Sequence, residues 1–74
     1  MHQYKLKDVV EFKRSTLDNE TGVVFKAGVQ GFVSGIFANG MIQLDVPIGE
    51  RDEVTQVHPE EVIPVYKKMA GARV

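Results

Sequence analysis

Seventy-four residues, 43% of them hydrophobic and 26% charged, make one small domain and exclude a disordered tail or a multidomain chain. The absence of cysteine removes disulfides and thiolate metal sites, and a formal net charge of −1 weighs against a dedicated nucleic-acid binder. No apolar run reaches the length of a signal-peptide core or a membrane span, so a cytoplasmic protein is expected.

Taken in chain order, Asp8 to Arg14 alternates, with Val10 and Phe12 turned inward and Glu11 and Lys13 outward, which predicts a half-buried strand. Ser15 to Gly22 is a polar loop of turn formers, and Val23-Val24-Phe25 is a short edge strand or an apolar loop tip. Gln30 to Phe37 is a second long strand in which Gly31 and Gly35 permit a bend or a close backbone approach. The Asn39-Gly40 pair predicts a two-residue hairpin turn with positive φ at both positions. Met41 to Val46 returns with Ile42, Leu44 and Val46 inward, Pro47 to Glu53 reads as a charged loop, and Val54 to Val57 as a brief strand. Within His58-Pro59-Glu60-Glu61, Pro59 suits a first helical position and the carboxylates suit a helix start, so one tight helical turn is expected. Val62 to Tyr66 is the last strand, with Pro64 marking an edge, and Gly71 to Val74 should fray.

These elements predict an all-β chain, a small five-stranded SH3-like barrel with one helical turn before the last strand. It is a single domain over residues 1–74 with its core at 6–66. The Gly28-x-x-Gly31-x-Val33-x-x-Ile36 run resembles the core of the KOW-type SH3-like motif of ribosomal and transcription proteins. Leu6-Lys7-Asp8-Val9-Val10, the glycine-punctuated strand and Pro59-Glu60-Glu61-Val62-Ile63-Pro64-Val65 together resemble a group of small bacterial SH3-like proteins. Those patterns are built of structural residues and imply a fold, not an activity.

Val29 to Phe37 and Gln56-Val57-His58-Pro59 are also similar to runs of the type II, trimethoprim-insensitive dihydrofolate reductases. That resemblance implies a tetramer whose central pore holds folate and NADP, with Gln56, Val57 and His58 at the pore. His58 stands where that family has a tyrosine, Phe12 roughly where it has a pore-mouth lysine, and Val29 where it has an interface tryptophan. These departures turn the expectation away from an enzyme and from any cofactor.

No other chemistry converges in the sequence. His2 and His58 carry no metal-ligand spacing, and Ser15 and Ser34 have no acid–base partner nearby. Lys13, Arg14, Lys26, Lys67 and Lys68, with Tyr4 and Tyr66 beside them, offer a weak nucleic-acid patch. The Gln30–Phe37 strand is apolar on both parities, Val33 with Phe37 and Phe32 with Ile36, where a half-buried strand shows one apolar face. A non-enzymatic module that binds another protein or a second copy of itself is therefore expected. Its candidate surface residues are Phe25, Phe32, Ile36, Phe37 and Met41, joined by Gln56, Val57 and His58.

Overall fold

The computed structural model describes residues 4–65. Along these residues run β1 (Val9–Phe12), β2 (Thr16–Leu17), β3 (Val24–Phe25), β4 (Gln30–Ile36), β5 (Ile42–Ile48) and β6 (Arg51–Val57). A 3-10 turn over Pro59–Glu61 then leads into β7 (Val62–Pro64). Five strands form one antiparallel sheet in the order β6-β5-β4-β1-β7, and β2 and β3 pair as a separate hairpin inside the long first loop. The chain is thus all-β, with its one helical turn ahead of the last strand.

Alternation decides the core. Val10 and Phe12 of β1, and Ile42, Leu44 and Val46 of β5, are buried as their period-2 spacing predicts, together with Val33, Val57 and Val62. Phe25 closes this cluster. Expected at an outer surface, it is only 1% exposed, because the β2–β3 hairpin lays its ring parallel to Phe12 with centroids 5.1 Å apart. Such an aromatic stack adds to the area both rings remove from water. Phe25 is a core residue.

Both long hairpins differ from their sequence reading. Pro47 to Glu53 is strand, not loop: β5 continues to Ile48 and β6 starts at Arg51, joined by the two-residue turn Gly49-Glu50. Gly49 has φ +62° and Glu50 does not share the positive sign, which is the type II′ pattern. Pro47 is tolerated because pairing between β4 and β5 ends at Asp45, so no neighbour requires its missing N–H. In the central hairpin, only Gly40 takes positive φ. The Gly40 N–H donates to the Phe37 carbonyl and the Phe37 N–H to the Met41 carbonyl, both at 3.0 Å. The connection is therefore the three-residue loop Ala38-Asn39-Gly40, a type I turn completed by a left-handed glycine. Asn39 contributes its side chain instead of its backbone, its Oδ1 accepting from the Met41 N–H at 3.0 Å.

A bulge in β4 rewrites the facing of its aromatic and aliphatic residues. Val33 pairs with Leu44 and Gly35 with Gln43, which leaves Ser34 as an extra residue. One inserted residue reverses the parity of everything after it. Phe32 and Ile36 therefore do not share a face: Phe32 opposes outward-facing Asp45, while Ile36 opposes buried Ile42 and reaches solvent at the open end of the sheet. Val9, Phe32, Asp45 and Val54 consequently form a single row across β1, β4, β5 and β6 on the outer side. In that row Asp45 Oδ1 is buried and accepts no hydrogen bond among the described residues.

Candidate binding groove

Side chains hold the first loop in shape, with Asp18 accepting the most bonds. Asp18 Oδ1 accepts from the Glu20 N–H at 2.9 Å and the Thr21 N–H at 3.2 Å, while the Asp18 carbonyl accepts from the Gly22 N–H at 2.8 Å. This is the local side-chain-to-backbone capture that makes aspartate a turn former. The Thr55 hydroxyl beside the Asp18 carboxylate lowers its pKa most. Partial desolvation opposes that shift, and the Glu20 and Thr21 amides reinforce it. Asp18, at the tip of the β2–β3 hairpin, lines the same groove as Thr55, the buried polar residue of β6.

Between that turn and β6 lies a groove of about 480 Å³. Thr16 to Thr21 form one wall, Val54 to His58 the other, and Met41, Gln43 and Glu61 complete the lining. Its ionic character is one-sided: Asp18, Glu20 and Glu61 line it, and no described lysine or arginine does. His58 stands at the mouth in extended conformation, φ −76° and ψ 142°, held there ahead of Pro59. Among the described residues β6 is the outermost strand of its sheet, so the groove runs beside a strand edge that none of them pairs. No backbone hydrogen bond joins β6 to the 16–21 turn among the described residues.

Met41, Gln56, Val57 and His58 come together here as a sequence-predicted group. Their roles differ. Gln56 and His58 are exposed, whereas the Val57 side chain is 2% exposed and belongs to the core. Phe32, Ile36 and Phe37 lie outside the groove lining. Phe37 instead covers Gly35, where an added Cβ would lie 3.7 Å from its Cζ. Tyr4, considered as a stacking platform, is half-buried and donates its hydroxyl to the Val62 carbonyl at 3.3 Å. Tyr66, Lys67, Lys68, His2 and the 71–74 tail lie outside the described residues.

Sequence reasoning missed Asp18, Glu20, Thr21, Gln43, Val54 and Glu61 as groove residues. Asp18 and Val54 carried usable signals: a turn aspartate four residues ahead of Gly22, and a valine on the polar parity of β6. Reactive chemistry is thin at this place. Glu53 is engaged with Arg51 at 2.7 Å, and no group of three His, Cys, Asp or Glu among the described residues is placed to hold a metal. No protein-family model, curated protein or solved structure matches the chain.

Proposed function

We propose that the protein is a non-enzymatic protein-binding module of SH3-like build, and that the groove with the adjoining β6 edge is its binding surface. The strand order β6-β5-β4-β1-β7, the hairpin inserted between β1 and β4, and the 3-10 turn ahead of β7 support the SH3-like reading. The observation that carries the function is the coincidence of a seven-residue strand edge, unpaired among the described residues, with an acid-lined groove. An unpaired edge offers main-chain donors and acceptors to any extended segment, and the flanking walls select side chains. Carboxylates from Asp18, Glu20 and Glu61 favour a segment that brings lysine or arginine. The same charge disfavours a nucleic-acid backbone at this surface.

Titration of isotope-labelled protein with an extended lysine-rich peptide tests the reading. Amide shifts concentrated at Asp18, Glu20, Gln56, His58 and Glu61 are expected, with none from an acidic peptide of equal length. Shifts that ignore peptide charge, or that fall elsewhere on the sheet, refute it.

A further inference from the structure

We infer that the segment received at the β6 edge is β6 of a second copy, paired antiparallel about a two-fold axis through Val54. This inference rests on the edge and groove being the binding surface, and it names the occupant. Hydrogen-bond phase comes first. The Gly49-Glu50 turn makes Ile48 and Arg51 a hydrogen-bonded pair, and the register runs without a shift to Ile42 and Val57. Pairs alternate along an antiparallel ladder, so Arg51, Glu53, Thr55 and Val57 point their N–H and C=O groups at β5. Asp52, Val54 and Gln56 point theirs outward, and all three residues are exposed.

Self-pairing then has few registers to choose from. With Val54 opposite Val54, Asp52 opposes Gln56 twice over, and all three outward residues of each copy sit in hydrogen-bonded pairs. Sliding the strands one way brings Glu53 onto Glu53 and then Asp52 onto Asp52, which like charge opposes. Sliding them the other way carries Asp52 past the end of β6 and leaves its outward groups without a strand partner. The Val54 register thus satisfies the most backbone groups without opposing like charges.

Two further features fit the same axis. Val54 is 51% exposed and ends the outer row Val9–Phe32–Asp45–Val54, so the two-fold joins two such rows at their apolar ends. Arg51 of the second copy falls opposite Val57, on the side of β6 where Thr55 meets Asp18. That placement brings the Arg51 guanidinium, held at 2.7 Å by Glu53 of its own chain, towards the wall lined by Asp18, Glu20 and Glu61, which holds no described cation of its own, while Glu53 of the same copy falls opposite Thr55.

The chain has no cysteine, so single cysteines report the geometry cleanly. A hydrogen-bonded antiparallel pair has Cα atoms about 5.5 Å apart, within the range of roughly 4.4–6.8 Å a disulfide spans. In a thiol–disulfide buffer the full-length Val54→Cys protein should form covalent dimer at least about tenfold faster than Gln56→Cys or Ile36→Cys, whose copies stand far apart in this register. Sedimentation equilibrium from micromolar to millimolar protein should show a salt-sensitive dimer. Val54→Lys and Arg51→Glu should each weaken it by about tenfold or more, and Ile36→Lys should not. Cross-linking at equal rates in the three cysteine variants, or a dimer indifferent to Val54→Lys, overturns the register. A monomer at every concentration that still binds the lysine-rich peptide overturns the second copy as occupant and leaves the binding surface standing. A monomer that binds no peptide sinks both.

Discussion

Gly31 is the position where a single methyl group should do the most damage. Its strand, β4, is clamped between β1 and β5, with Gly31 paired to Val10 on one side. A Cβ built there would lie 2.8 Å from Val46 Cγ2 and 2.9 Å from the Asp45 carbonyl oxygen, against 3.4 Å for ordinary contact. Neither neighbour can yield cheaply. Val46 is fully buried and stiff at its branched Cβ, and the carbonyl belongs to the backbone of β5. Gly31→Ala must therefore push β5 away by about half an ångström, an overpacking that costs about 1–3 kcal/mol. For a domain of this size each kcal/mol moves Tm by about 4–8 °C, so melting followed by circular dichroism should fall by roughly 4–24 °C. Gly40 supplies the contrast. A Cβ there meets nothing within 4 Å, but φ is +94°, so Gly40→Ala costs about 1 kcal/mol of backbone strain alone. Gly40→Asn should recover most of that loss, since asparagine tolerates the left-handed region, whereas Gly31→Asn should be worse than Gly31→Ala. A Gly31→Ala protein melting within about 2 °C of the parent would refute the steric argument, because the overpacking range does not reach that low.

Asp45→Val should stabilise the domain by about 1–2 kcal/mol in urea titrations, since it removes a carboxylate oxygen buried without a partner and places a strand former between Phe32 and Val54. A loss of stability would mean the carboxylate is serving a contact of its own. Asp18 sets a pH dependence. Its folded pKa is lowered, chiefly by Thr55, so it contributes stability above the ordinary carboxyl pKa that disappears as pH falls through the lower, folded value. Asp18→Asn should therefore be less stable than the parent at neutral pH, with the gap closing as acid is added below the ordinary carboxyl range. A gap that stays constant across that window would rule out the linkage.

What was legible in the sequence follows from which signals are local. Val10 with Phe12, and Ile42 with Leu44 and Val46, announce their faces by period alone, and Pro59 announces its turn by fixed φ. Gly35 allowed a bend at this place, but the extra residue Ser34 was not legible, because a bulge is defined by the register of the partner strand. That one insertion separated Phe32 from Ile36. Pro47 misled in the other direction, since its lack of a donor matters only where a neighbour needs one, and β4 stops short of it. Phe25 shows the same dependence on distant structure: a short apolar run between glycines reads as a loop tip until the hairpin carries it onto Phe12. The groove was half legible. Gln56 and His58 were reachable through β6, but the wall built on Asp18 exists only because the first loop folds back beside that strand.

The two edges of the sheet explain why a free strand here need not lead to open-ended association. Parallel, in-register stacking of β6 would set Arg51 on Arg51, Asp52 on Asp52 and Glu53 on Glu53, so the charged end of the strand opposes the geometry of fibrils. Antiparallel pairing about Val54 keeps each of those residues away from its own copy and consumes the edge in doing so. Among the described residues the opposite edge offers no second attachment of comparable length. There β7 is three residues long and carries Pro64, which has no N–H to donate. With one long edge and one blunted edge among the described residues, the proposed two-fold pairing would use the long edge and close the assembly at that point.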